Sequence, residues 1–330
     1  MKIAELRTIV KKHSKAELEF LVAELYKVIP KNKKEDYQLD KLIEKPFKEQ
    51  KTKKVSKTRS IDEIASEVAF FHENAMEQNY LAPNSYISKK DRPKWRFVVK
   101  RLFKEIVECN KNGAPDVQCG KELQVLYETL THACRLQIFS AYDPFESVGI
   151  DQADFYEQVV RFYREGLEID AFLIKGINLI TENSLNRYTL YNELMEIFIK
   201  HCETPAMKEL AIEHLNKLRE IKNKEKVKKN AWGNDDFYKN RMLNNYTEFI
   251  FRFNAHLHDF DKGIQHYMQY YIARNPELKL YILIRILFEF KNKDSIFEVL
   301  KSEKTKNLRK GLIDLRNFIQ KHNKLPEYML

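Results

Sequence analysis

In segment after segment of this chain, apolar residues recur at spacings of three and four. The clearest run is Trp95, Val98, Val99, Leu102, Phe103, Ile106 and Val107, and the opposite face carries Lys94, Arg96, Lys100, Arg101 and Lys104. Residues so spaced share one face of a 3.6-residue helix, so the run predicts an amphipathic helix over about 92–109. Similar stripes comprise Ile3, Leu6, Ile9 and Val10, then Leu18, Leu21, Val22, Leu25 and Ile29, then Ile61, Ile64, Val68 and Phe71. No stretch alternates cleanly enough to predict a strand. Only 8 Gly and 9 Pro occur in 330 residues, too few for the many turns of a sheet-rich fold. The predicted class is all-α: a multi-helix array of antiparallel helix pairs, either α-solenoid-like or an irregular helical bundle. No strict internal period runs across the chain to decide between the two.

Helix starts are written in the sequence. Ser14 with Glu17 and Ser60 with Glu63 have the capping-box spacing, in which hydroxyl and carboxylate each satisfy a free backbone N–H. Asp143-Pro144 and Thr204-Pro205 read as cap-plus-proline starts, Asp91 as a cap ahead of Pro93, and Gly166 as a break. Asp235 with Asp236, and Asp151 with Asp154, fall where helix starts are expected. Further helices are predicted near 36–44, 118–140, 151–165, 168–182, 186–201, 205–222, 235–257, 262–274, 277–291, 294–302 and 305–321. The predicted organisation is a small N-terminal helical hairpin over 1–44, a basic flexible linker over 45–59 and a central helical domain over 60–222. A lysine-rich connection over 223–234 leads to a C-terminal helical-repeat-like region over 235–330. The hairpin is too small to bury its own apolar stripes and needs a further surface, elsewhere in the chain or on a partner.

The net charge of +10 is unevenly spread. Residues 1–115 hold 26 Lys and Arg against 17 Asp and Glu, residues 116–216 hold 8 against 17, and residues 217–330 hold 24 against 14. A basic–acidic–basic layout suits an acidic protein partner, nucleic acid or contacts within the chain. Cys109, Cys119, Cys134 and Cys202 lack paired metal-ligand spacing, as does His132 beside Cys134, and read as buried free thiols in a reducing, cytoplasmic setting. Glu5 and Arg7 interrupt the opening residues, so no secretory signal is expected there. The most apolar stretch, Leu278 to Phe290, contains Lys279, Arg285 and Glu289, so no membrane partner is expected.

Phe260, Gly263, Tyr267 and Pro276 stand at the places of an aromatic, a small residue, a second aromatic and a closing proline. In this the segment 258–276 resembles the second half of a tetratricopeptide repeat. It departs from the pattern in having Gly263 for alanine, Tyr270 at a normally small position and the proline one residue late. The resemblance implies stacked helical pairs near the C-terminus and no specific ligand. The N-terminal hairpin, with Ser14 to Leu18 and Leu25-Tyr26-Lys27, is similar to the opening of a family of uncharacterised bacterial proteins, which has no known activity to carry over.

No nucleotide-binding glycine loop and no nucleophile elbow is present. The densest group of metal-ligating residue types is His256, His258, Asp259, Asp261 and His266. His256, His258 and His266 would be the ligands of any metal, as in a metal-dependent hydrolase. Residues two apart diverge by about 200° on a helix, so a polar corner capped by Asp261 is the expected structure instead. No metal and no cofactor is expected. Lys89, Lys90, Arg92, Lys94 and Arg96, set among Tyr86, Trp95 and Phe97, could meet nucleic-acid phosphates, whereas Trp95 itself falls on the apolar stripe. The expected function is a non-enzymatic helical scaffold that binds another macromolecule, with a protein partner first. A nucleic-acid-binding protein using basic N- and C-terminal surfaces is the alternative, and a metal-dependent hydrolase a distant one.

The segment Lys45 to Arg59 has seven basic residues against one acid. Limited trypsin digestion is expected to cut there first and leave a stable fragment beginning near Ser60. Resistance would show that the segment is packed.

Overall fold

The computed structural model describes residues 3–37, 39–44, 59–225, 235–302, 304, 308–324 and 326. The expected linker at 45–59, apart from Arg59, lies outside the described residues, as does 226–234 of the lysine-rich connection. Among the described residues every regular element is helical and none is a strand, so the chain is all-α. It divides into two compact units, residues 1–59 and 60–330.

The first unit contains α1 (Ile3–Val10), α2 (Lys15–Val28), α3 (Lys31–Asp36) and α4 (Leu39–Glu44). The Ser14–Glu17 capping box is formed: the Ser14 amide donates to Glu17 Oε2 at 2.7 Å and the Glu17 amide to Ser14 Oγ at 3.4 Å. The helix predicted over 36–44 is present as α4 from Leu39, and α3, which ends where Tyr37 leaves helical geometry, is an additional element that the sequence pattern does not foretell. No residue of α2 or α3 is buried, and Phe20, Val22, Leu25 and Val28 are exposed.

The second unit begins with α5 (Ile61–Met76), opened by the Ser60–Glu63 box. A 3-10 turn (Arg92–Lys94) leads into α6 (Trp95–Lys111), followed by α7 (Asp116–Arg135), α8 (Pro144–Val148), α9 (Gln152–Gly166) and α10 (Ile169–Thr181). After these come α11 (Tyr191–His201), α12 (Pro205–Lys224), α13 (Asp235–His256), α14 (Phe260–Tyr270), α15 (Pro276–Glu289), α16 (Lys293–Ser302) and α17 (Lys310–His322). Asp143 accepts from the amides of Phe145 and Glu146, and Thr204 from that of Met207, as their spacing to Pro144 and Pro205 predicts.

Three caps differ from expectation. Asp91 makes no cap bond; its carboxylate takes the Ser88 hydroxyl and the Lys94 ammonium. Asp151 occupies a cap position without a side-chain bond, and Asp259, not Asp261, caps α14 by accepting from the Lys262 amide at 3.3 Å. The helix predicted over 186–201 begins only at Tyr191, because Asn186 folds back to accept from the amides of Tyr188 and Thr189. The helix predicted to 140 ends at Arg135, after which Leu136 turns extended and Ile138 and Phe139 enter the core. Phe139 stacks on Trp95 at 4.0 Å between ring centres, which makes Trp95 a core residue. The last helix starts at Lys310 rather than 305.

Two apolar cores fill this unit. The larger runs from α5 to α13 and includes Trp95, Leu126, Tyr156, Phe198, Phe249 and Phe253. The smaller gathers Phe251, Ala255, Tyr267, Leu283, Leu287 and Ile319 from α13 to α17. α13 therefore feeds both. α7 packs mainly on α9 and α5, and α13 on α12 and α14. Within the tetratricopeptide-like segment, Gly263 faces Asn254 and Phe251 of α13, Tyr267 is fully buried, and Pro276 opens α15 rather than closing α14.

At Gly176 of α10 the helix meets the Phe198 ring so closely that an added Cβ would stand 2.0 Å from Cε2. Gly176→Ala must displace a buried ring in a packed interior, and a loss of about 1–3 kcal/mol is expected in urea unfolding. Gly311, with nothing within 4 Å of the same added carbon, is the control, and Gly311→Ala is expected to cost nothing.

Candidate functional site

The basic cluster singled out in the sequence is divided by the fold. Lys89, Lys90, Lys94 and Arg96 are exposed beside the exposed rings of Tyr86 and Phe97. Arg92 is not part of that surface chemistry: its guanidinium donates to the carbonyls of Ile87 and Asn84 and so fastens its own loop. Lys94 is engaged by Asp91 at 2.6 Å, and Arg96 lies over the Phe97 ring at 5.0 Å.

The histidines do not converge. His256 Nε2 lies 2.8 Å from Glu196 Oε2, whereas His266 Nε2 lies 3.2 Å from Asn216 Oδ1 and its ring packs on Tyr270. His258 sits at the α13–α14 corner with φ of 61°. Among the described residues no three His, Cys, Asp or Glu side chains gather into a group that could hold a metal. Cys109, Cys119 and Cys202 are buried and Cys134 is half-buried. Burial pushes Cys134 and Cys202 up to about 12 and Cys119 up to about 11, so these three stay protonated and are poor nucleophiles at neutral pH.

Charge is concentrated inside the unit at Arg252 of α13, which is 1% exposed. Its Nη1 donates to Glu196 Oε1 at 2.9 Å, and its Nη2 to Glu248 Oε1 at 2.9 Å and Glu289 Oε2 at 2.6 Å. Burial pushes the Glu196 carboxyl up, but the bonds from His256 and Arg252 outweigh it and hold Glu196 below the usual carboxylate range. This network joins α11, α13 and α15.

Residues that the sequence reading passed over build the most chemically organised surface. A groove of about 700 Å³ runs between α13 and the segment 271–274 that precedes α15. Phe237, Asn240, Arg241, Asn244, Asn245 and Glu248 line it from α13, at the three- and four-residue spacings of one helix face. Tyr271, Ile272, Ala273, Arg274 and Leu278 form the other wall. Asn244 grips that wall: its Oδ1 accepts from the Ile272 amide and its Nδ2 donates to the Ile272 carbonyl, both at 2.7 Å. Asn245 Nδ2 is buried without a hydrogen-bond partner. Among the described residues Arg241 and Arg274 form no ion pair, although Arg241 lies 5.4 Å over the Tyr238 ring. Glu248, in contrast, is committed to Arg252. The i, i+4 row of asparagines was the readable signal, but it becomes a groove only through a segment some thirty residues away.

Among the described residues no helix is long and apolar enough to cross a membrane. Compared with protein-family models, with curated proteins and with solved structures, the chain matches none.

Burial first, then the Arg219 charge, pushes His266 down to about 4, and its Nδ1 has no partner. The folded value lies below the ordinary 6.5, so as pH falls the unfolded chain binds the proton first. Stability is therefore expected to be full above pH 6.5 and to decline from there towards pH 4. Thermal unfolding of His266→Gln between pH 6.5 and 5, above the range where Glu196 protonates, should show a flatter pH dependence than the native chain. Equal slopes would remove His266 as the cause.

Proposed function

We propose that the chain is a non-enzymatic helical scaffold that binds another protein, with the α13 groove as its contact surface. The observation that carries this reading is the composition of the groove. It combines aromatic rings, primary amides and two arginines without ion-pair partners among the described residues, and it contains no Cys, His, Ser or Lys to act as nucleophile. Such a mixture of aromatic and arginine side chains with directional polar groups is characteristic of protein-recognition surfaces. One wall of the groove belongs to a long helix built into both cores, and Asn244 bonds the other wall to it, which gives the partner a preformed surface.

A second reading, nucleic-acid binding, is favoured by Lys89, Lys90, Lys94 and Arg96 beside exposed Tyr86 and Phe97. Cations there would neutralise phosphates and the rings would stack on bases.

A photoreactive benzoylphenylalanine in place of Phe237 is expected to give discrete protein adducts in cell extract, lost when Arg241→Glu is added. The same residue in place of the exposed Tyr188 is the control. Adducts that ignore Arg241→Glu, or match those at position 188, would overturn the scaffold reading as assigned to this groove. Oligonucleotide binding at about 150 mM salt is expected to be negligible. Submicromolar binding, lost in the triple variant Lys89→Gln, Lys90→Gln, Lys94→Gln, would support the second reading instead.

A further inference from the structure

The groove contains a worked example of its own recognition chemistry. Chain 271–273 has no regular structure, and Tyr271 is extended at φ −70°, ψ 127°. Upon it the Asn244 amide closes two 2.7 Å bonds to the N–H and C=O of one residue, Ile272. A primary amide can do this because its acceptor and donor lie side by side, as do the amide and carbonyl of a single extended residue. The contact reads backbone, not side chain, and so accepts any sequence in extended form.

Two more primary amides line the same face of α13. Asn240 stands one turn before Asn244, and its side chain has no partner among the described residues. Asn245 lines the groove as well, with its Nδ2 turned inward, buried and without an acceptor, so a rotation of the side chain towards the groove would give that donor a partner on a bound chain. Flanking them, Arg241 and Arg274 are exposed and without ion pairs among the described residues. The one acid of the groove, Glu248, is bonded to Arg252 at 2.9 Å and 3.2 Å rather than to either of these arginines. Phe237 and Tyr271 supply flat apolar surface between these polar groups.

We infer that this groove binds an extended, acidic peptide segment of the partner protein, its backbone held by Asn240 and Asn245 as Asn244 holds Ile272, and its carboxylates met by Arg241 and Arg274. The inference rests on the scaffold reading and specifies the partner's chemistry. An extended strand, rather than a helix, is required because a helix uses its own amides and carbonyls internally and leaves none for the asparagines. Acidic character follows from charge complementarity, since planar guanidinium groups match carboxylates in two parallel bonds.

The test uses the full chain and three fluorescein-labelled eight-residue probes: alternating Glu-Val, alternating Lys-Val, and Glu-Val with N-methylated valines. Fluorescence anisotropy is expected to show the acidic probe bound at least about tenfold more tightly than the basic one, with N-methylation costing at least about tenfold. Arg241→Glu with Arg274→Glu should reverse the charge preference, and Asn245→Leu should weaken the acidic probe about fivefold or more. Unchanged thermal unfolding establishes that each variant is folded. Should Asn245→Leu unfold, Asn240→Ala, nearer the start of the helix, takes its place with the same expectation. Peptide binding without charge preference, or indifferent to N-methylation, would overturn the inference and leave the scaffold reading standing on its protein adducts. No binding of any probe, together with no Arg241-dependent adduct at position 237, would overturn both. A concentration-dependent dimer dissolved by the double arginine variant, with no peptide bound, would assign the groove to a second copy of the chain and overturn the inference.

Discussion

The second unit depends on Arg252. A guanidinium that is 1% exposed is tolerable only if every direction in which it points holds a partner, and three carboxylates supply them. Those carboxylates come from different places: Glu196 from α11, Glu248 from one turn back on α13, and Glu289 from the end of α15. Because α11 belongs to the larger core and α15 to the smaller, the network fastens the two cores to one helix. Three negative charges face one positive charge, and His256 beside Glu196 offsets part of the excess when protonated. Removing one member of such a buried group generally costs about 3–5 kcal/mol, since the remaining charges stay buried without compensation.

The consequence for function is geometric. Odd and even positions along one stretch of α13 are used up by packing: Phe249, Ile250 and Phe253 face the larger core, Phe251 and Ala255 the smaller. What remains on its earlier turns is the row Phe237, Asn240, Arg241, Asn244, Asn245. With Asn244 tying down Ile272, the second wall of the groove is fixed to the first by hydrogen bonds rather than by a mobile loop. A surface held in this way loses little freedom on binding, which favours recognition of a flexible segment that must itself be ordered.

Local signals in the sequence were read correctly where the physics is local. The capping boxes at Ser14 and Ser60, the Asp143 and Thr204 caps and the apolar stripe from Trp95 each involve residues within a few turns of one another. Some caps differ for local reasons, Asp91 turning to Ser88 and Lys94 and Asp259 standing in for Asp261, but the larger differences come where distant residues decide. Phe139 continues a helical pattern by sequence, yet it leaves the helix to stack on Trp95, forty-odd positions earlier. Asn186 ends up shaping a turn whose amide is received by the buried Gln152. Arg252 was one more cation on a long helix until Glu196 and Glu289 came to meet it. Similarly, the run Lys89 to Arg96 looked like five equivalent charges, and only the backbone path shows that Arg92 serves its own loop. The groove is legible only in part for the same reason, since the asparagines at helical spacing mark one wall and the second comes from a segment some thirty residues away.

The central claim is that α13 offers the unpartnered amides of Asn240 and Asn245 to an extended chain. Side-chain amide spectra of the chain labelled with 15N-asparagine, recorded while the alternating Glu-Val peptide is added, test it most directly. The account predicts shifts of the Asn240 and Asn245 signals, with Asn244 retaining the protected resonances of an amide already bonded on both sides. Shifts confined to Asn84, beside the basic loop, with the α13 asparagines unmoved, would contradict it and move the binding surface to residues 86–97.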